Sequence, residues 1–310
     1  MPFDERRVLH SPTGAKLNLF VKKAAEPARA IVQINHGLTE HAARYEAFAD
    51  HLAAHGFHVY AHDHRGHGGT QAPDAPLGRF ARENGVEKVI ADVLAVHDLI
   101  ASEHPGRPVI VFGHSMGGLI ALDFVGRHSG RIAGAAIWNA DPGAGLAQYA
   151  ARLLLLWERF RLGSDVPSRL LPKFTFHDWA RRIPDRRTDF DWLSRDPAEV
   201  DDYIADPLCG WDASVSMWLD IIDLIFRAAD DEGFADVRPD LPFHLVGGAS
   251  DPATGGGKAV RDLDARLRLM GFSDVTTRVY PETRHESLNE LNREQVMVDF
   301  VEWAAQAIHA

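Results

Sequence analysis

The chain has 310 residues, 45 % hydrophobic and 25 % charged, a composition that suits one soluble globular core with room for an inserted subdomain. Its 33 basic and 44 acidic residues leave a net charge of −11, which repels phosphate backbones and anionic lipid surfaces, so nucleic acid is not expected as a partner. A single cysteine, Cys209, excludes an internal disulfide; the N-terminus lacks the apolar core of a signal peptide, and no run approaches ~18 apolar residues, so a cytoplasmic protein with at most peripheral membrane contact is expected.

In chain order, RRVLH and AKLNLFVKK flank the turn Ser11-Pro12-Thr13-Gly14 and read as an antiparallel hairpin. AIVQIN is a short apolar strand leading into HGLTEHAARY and a helix that ends at Gly56, and FHVYAH is the next strand. Residues 86–103 place Val89, Ile90, Val93, Val96, Leu99 and Ile100 at helical spacing. PVIVFG is a fully apolar strand running into a second helix, and IAGAAIW is another strand. The alternation stops near Asp141; from there to about Asp212 the chain reads as helical or irregular, and it resumes with the helix SVSMWLDIIDLIF, the strand PFHLVGG, a helix to Met270, the strand VTTRVY and a last helix. Apolar strands alternating with helices imply a mostly parallel, doubly wound sheet covered on both faces. The expected organisation is a core in two parts, 1–140 and 214–310, with a helical cap inserted at 141–213.

Gly113-His114-Ser115-Met116-Gly117 fits the small-x-Ser-x-small nucleophile elbow and lies between a strand and a helix, the context that gives the motif its meaning. Ser115 must occupy a strained turn with Oγ lifted above the sheet, and a side chain at either flanking glycine would strike neighbouring backbone. In α/β-hydrolases, which this unit resembles, the acid and then the histidine follow the serine along the chain. Of the 17 histidines only His285 and His309 lie beyond Asp251, and His285, in the loop PETRHE after a strand, is the expected base. Asp251, directly after the strand PFHLVGG, is the expected acid, holding the imidazole tautomer and stabilising the imidazolium. The same resemblance places the oxyanion-binding amides at Leu38, after the first parallel strand, and at Met116.

AHDHRGHGG raises a metal reading, since His62, His64 and His67 with Asp63 look like a ligand cluster; Gly66 stands where the related metallohydrolase motif has Asp, and a turn held by Asp63 and Arg65 is the preferred reading, with no metal and no cofactor expected. GGGKA is not a phosphate loop, because it lacks the spaced first glycine and ends in Ala259. Leu153 to Trp157 form the most apolar block outside the strands; Leu154, Leu155 and Trp157 are candidates to line an acyl site or touch lipid, and a helix packed on the core is an equal alternative.

Taken together, HGLTEHAARY, HDHRGHG, GHSMGG, DPLC, GGASDP and YPETRHESLNE resemble the monoacylglycerol lipase and lysophospholipase group of the α/β-hydrolase superfamily. The resemblance spans almost the whole core and implies a Ser115–Asp251–His285 triad, an inserted helical cap and ester substrates with one acyl chain on a polar head. The common Ser after the RGHG turn is replaced by Gly69-Thr70, and the cap matches least, apart from DPLC. The alternatives are a general carboxylesterase or another hydrolase on the same triad, a non-catalytic binder on the same fold, and a metallohydrolase. Both the serine and the histidine that such binders lose are present.

Overall fold

A computed structural model describes residues 3–309; Met1 and Pro2, part of the segment read for a leader, and Ala310, the end of the expected second core part, lie outside the described residues. β1 (Glu5–His10) and β2 (Lys16–Lys22) form the hairpin around residues 11–14, paired from Glu5↔Val21 to His10↔Lys16. β3 (Ala30–Asn35) is followed by α1 (Glu46–Ala54), β4 (Phe57–His62), α2 (Gly85–Glu103), β5 (Val109–His114), α3 (Met116–His128) and β6 (Gly134–Trp138). Each of the strands β3 to β6 is buried at every position, which is why each reads as a nearly unbroken apolar run.

Between β6 and residue 215 the described residues form no strand beyond an isolated bridge, Pro167↔Ser214. They form α4 (Leu146–Leu162), the short α5 (Leu171–Phe174) and α6 (Phe176–Arg181), and α7 (Pro197–Ala205). α8 (Val215–Ala228) starts where the Ser214 hydroxyl accepts the Met217 amide at 3.2 Å. β7 (Phe243–Gly248), α9 (Lys258–Leu269), β8 (Val275–Tyr280) and α10 (Arg293–Ala307) complete the chain.

The eight strands run in the order β1-β2-β4-β3-β5-β6-β7-β8. β2 is antiparallel to β1 and β4, and every pair from β4 to β8 is parallel. On one face Phe48 and Leu52 of α1 and Phe300 and Trp303 of α10 pack with Phe112 and Trp138. On the other, Val89 and Val93 of α2, Ile120 and Phe124 of α3 and Leu263 of α9 pack with Val111, Ile137 and Leu245, and α8 adds Trp218, Ile221 and Ile222. From β3 the chain moves one way to β4 and the other way to β5, so the carboxyl ends of β3 and β5 flank a crevice of the kind that holds ligands in open α/β sheets. Among the described residues no helix is long and apolar enough to cross a membrane.

Several histidines are sealed into this core as neutral rings. Burial holds His62 and His244 down to about 3, and burial with the nearby Arg131 charge holds His97 down to about 4. Once unfolded they protonate near their usual ~6.5, so the unfolded chain binds more protons across the interval between. The stability is therefore whole above about pH 6.5 and is lost as the pH falls toward these depressed values, at up to ~1.4 kcal/mol per pH unit for each titrating ring. Calorimetry should show the Tm falling steadily from pH 6.5 to pH 4.5; a flat Tm over that range would contradict neutral buried rings.

Candidate active site

β5 must turn into α3 within one residue, and Ser115 is that residue. Its backbone takes φ 54°, ψ −118°, a conformation non-glycine residues rarely adopt. Its amide donates to the Trp138 carbonyl at 2.8 Å, and its carbonyl accepts the amides of Gly118 and Leu119 at 2.9 and 3.3 Å. A Cβ on Gly113 would collide with the Gly117 carbonyl, and one on Gly117 with the Asn35 and His36 carbonyls, so both glycines of the motif are sterically required.

The His285 imidazole stands with Nε2 at 3.0 Å from Ser115 Oγ, and with Nδ1 at 3.1 Å from both carboxylate oxygens of Asp251. Asp251 is fully buried and also accepts the Ala253 amide at 2.9 Å, the Thr254 hydroxyl at 2.8 Å and the Asn139 amide nitrogen at 3.1 Å. Burial alone would push the Asp251 carboxyl up, but the His285 charge and these donors outweigh it and hold the group below its ordinary value. Nδ1–H can therefore donate to a fixed anion while Nε2 faces the serine hydroxyl, an arrangement able to take the Oγ proton and stabilise the resulting imidazolium. Asn139 was not legible as a site residue. It stands one residue past β6 at φ 48°, and its Oδ1 accepts the Ser287 hydroxyl at 2.9 Å, which ties Asp251 to the loop that carries His285.

Leu38 and Met116, expected to offer oxyanion amides, line the same cavity as Ser115 and His285. Met116 opens α3, where amides lack intrahelical partners. The loop that carries Leu38 is fixed by the Gly37 amide donating to Glu40 Oε1 at 2.5 Å. The cavity holds about 510 Å³, and its wall is mainly apolar: Leu119, Ile221, Ile222, Phe176, Trp179 and Trp192 are among its lining residues. The three candidate side chains for an acyl site lie elsewhere. Leu155 is fully buried in the main core, Leu154 packs against that core, and Trp157 is about half exposed; α4 meets the cavity instead through Ala147, Gln148 and Ala151. Helical periodicity revealed an apolar face on this helix without revealing which neighbour it covers.

Beneath the site lies a buried charge network that single motifs did not disclose. His114 Nε2 stands 3.0 Å from the His285 carbonyl oxygen and Nδ1 stands 3.2 Å from Glu40 Oε1, so both ring nitrogens face acceptors and both donate. Glu40 also accepts from Tyr45 OH at 2.9 Å and from Arg44 at 3.0 Å, and Arg44 forks onto Glu286 at 2.5 and 2.7 Å. Burial opposes charge on His114, yet the Glu40 hydrogen bond and charge prevail and raise its pKa; burial likewise opposes Glu40, which His114 and Arg44 hold down.

His36, His62, His64 and His67 form a separate buried cluster. Asp63 accepts the amides of Ala42 and Gly69 at 2.8 and 2.7 Å, and Arg65 pairs with Asp92 at 2.8 Å, so the HDHRGHG turn is held by these two side chains. The His36 ring lies 4.4 and 5.1 Å from those of His64 and His67, and among the described residues the ring nitrogens of His62, His64 and His67 do not converge on one point as metal ligands would.

His114→Phe keeps the ring and removes both donors. Because the folded pKa of His114 is raised, its stabilising contribution is complete below the unfolded value near ~6.5 and is lost as the pH rises through the folded value. Urea denaturation should find the variant less stable by about 1–3 kcal/mol at pH 6, with the gap shrinking toward pH 9. A gap that grows with pH would show that His114 is neutral.

Residues 26–292 match the family model described as Hydrolase_4, serine aminopeptidase S33. The chain is 28 % identical over 282 residues to the monoacylglycerol lipase of Mycolicibacterium smegmatis, covering 89 % of this chain and 88 % of that one. It is 27 % identical over 306 residues to the monoglyceride lipase of Mus musculus, covering 94 % and 90 %. A thermostable carboxyl esterase from Bacillus coagulans, solved with glycerol, shares the fold at TM-score 0.88 and 24 % identity, over 99 % of each chain. With the family model covering most of its length, the chain belongs to the Hydrolase_4 family of α/β-hydrolases.

Proposed function

We propose that the protein hydrolyses carboxylic esters carrying a single acyl chain, such as monoacylglycerols or lysophospholipids, with Ser115, His285 and Asp251 as its catalytic triad. The observation that carries this reading is the unbroken line Ser115 Oγ–His285 Nε2 and Nδ1–Asp251 at 3.0 and 3.1 Å, opening into an apolar cavity. His285 takes the Ser115 proton as Oγ attacks the ester carbonyl, and the Leu38 and Met116 amides stabilise the oxyanion. The imidazolium then protonates the leaving alcohol, and water deprotonated by His285 releases the acid, so no cofactor enters. The relatives named lipases favour this over the peptide-bond reading in the family's description.

In this reading residues 141–213 act as a cap that sets substrate choice. They supply Ala151, Phe176, Trp179 and Trp192 to the cavity wall, enough to exclude water around one acyl chain. The outer side of α4 carries Leu146, Tyr149, Leu153, Trp157 and Phe160 at three- and four-residue spacing, and Leu153 and Phe160 are 69 % and 89 % exposed. Such a stripe suits shallow, reversible insertion at a lipid surface, driven by apolar burial since the net charge of −11 opposes electrostatic recruitment. Reversible contact of this kind fits the cytoplasmic protein expected from the composition.

A fluorophosphonate should label the wild type once, at Ser115; Ser115→Ala should be neither labelled nor active on p-nitrophenyl esters, and Asp251→Asn should lose roughly 10⁴-fold in kcat while staying folded. Labelling that persists without Ser115, or faster cleavage of aminoacyl anilides than of esters, would overturn the assignment. Within the acyl series, kcat/KM should rise from acetyl to medium chains by up to ~0.8 kcal/mol per buried methylene. Ala151→Trp should shorten the preferred chain and spare acetyl esters; an unchanged chain-length profile would remove α4 from the acyl site.

A further inference from the structure

The loop that carries His285 is held on its outer side by residues 191–195, which belong to the insertion. The His285 amide donates to the Trp192 carbonyl at 3.3 Å and the Glu286 amide to the Leu193 carbonyl at 2.7 Å. The Arg284 guanidinium donates to the carbonyls of Asp191 and Ser194 at 2.5 and 2.9 Å, and the Ser194 hydroxyl donates to the Asn289 carbonyl at 2.7 Å. At the centre of this seam is Glu290, a carboxylate with no solvent exposure. Its Oε1 accepts the Arg284 amide at 2.9 Å and the Arg195 amide at 3.1 Å; its Oε2 accepts Arg195 Nε at 2.9 Å and the Leu291 amide at 2.9 Å. Two donors come from the base's loop and two from the insertion, so one buried anion joins the two segments.

We propose that Glu290 is a positioning residue for His285, acting by pinning the base's loop to residues 191–195. The inference rests on the triad reading above. A buried carboxylate with four donors cannot be released without leaving those donors and a charge unsatisfied, so the seam closes or opens as a unit. The base is thereby gripped at two backbone atoms: its amide by the insertion through Trp192, and its carbonyl by the core through His114. The Trp192 ring, 5.0 Å from the imidazole, adds a side-chain wall on the insertion side. Lifting the whole insertion as one lid would therefore strip the base of half its supports. Opening that preserves a competent base must occur upstream of Asp191, in α4 to α6, with 191–195 left in place.

The test uses Glu290→Gln, whose single oxygen can serve only part of this donor set, and Arg195→Met, which removes the guanidinium and leaves Glu290 with its three backbone donors. Each is assayed for kcat and KM on p-nitrophenyl butyrate, and for the downfield ¹H NMR resonance of the His285 Nδ1–H facing Asp251. We expect kcat to fall roughly 10- to 100-fold in Glu290→Gln and less in Arg195→Met, with KM changed less than about threefold and the resonance broadened or shifted in both. Leu17→Ala, a truncation in the separate core cluster beside the N-terminal hairpin, serves as a control that lowers Tm and should keep the wild-type resonance. A folded Glu290→Gln with wild-type kcat and resonance overturns the inference. If Glu290→Gln does not fold, Arg195→Met decides on the same two readouts. A wild type that a fluorophosphonate does not label at Ser115 fails the triad reading itself, whereas normal labelling with unperturbed variants fails only the positioning role.

Discussion

The turn from β5 into α3 leaves no spare volume. The carbonyls of Asn35 and His36 press on Gly117, the Gly117 carbonyl presses on Gly113, and the chain reverses through a serine at φ 54°. A residue in that conformation costs of order 1–3 kcal/mol, and it persists only because β3 and β6 flank β5 and α3 is packed against the sheet. The same crowding has a chemical result. It raises Ser115 Oγ above the sheet end, puts the first amides of α3 beside it, and brings the end of β3, with the Leu38 loop, within reach on the neighbouring strand. Strand order thus brings Ser115 together with the amides proposed to bind the oxyanion from one steric constraint, without a long-range loop having to find them.

Buried charge would be a liability next to such a site unless it balances. Glu40 and Glu286 carry two negative charges, Arg44 and a doubly donating His114 carry two positive; Glu40, Glu286 and His114 are buried, and the Arg44 side chain is 11 % exposed. Neutrality makes the cluster tolerable, and its worth lies in what its hydrogen bonds fix: the Gly37 turn on one side and the His285 carbonyl on the other. The Asp251–His285 pair sits on top of this cluster with its own donors from Asn139 and Thr254. The imidazole is therefore held by a frame that does not itself need to change charge when the ring does.

How much of this could be read from residue order depends on the kind of contact. The parallel strands were legible because both faces are buried, leaving unbroken apolar runs such as PVIVFG and IAGAAIW, and the Ser115, Asp251 and His285 set that the structure brings together could be picked out because the fold places such residues in that chain order, here after β5, β7 and β8. The charge network was not, since Arg44 and Glu286 are 242 residues apart and neither stands out as polar residues in polar loops. Ile221 and Ile222 of α8 line the cavity while belonging to the main core, and the Leu154–Leu155 step of α4 faces the core and not the cavity. Amphipathic spacing fixes that a helix has an apolar side; only tertiary packing decides whether that side meets core, ligand or solvent.

α4 shows how those three outcomes divide a single helix. Leu155 faces the core, Ala151 faces the cavity, and Leu153 and Phe160 face outward. A helix with apolar residues on so much of its circumference gains little from standing in water, and its exposed stripe is satisfied only by a lipid or another apolar surface. The seam around Glu290 makes the opposite demand, a dry and immobile junction beneath the same insertion. The two demands are compatible only if compliance is confined to α4 through α6. In the proposed reading, an acyl chain passes from a lipid surface into the cavity beneath α4 while residues 191–195 keep the imidazole aligned, so substrate entry and base alignment do not compete for the same motion.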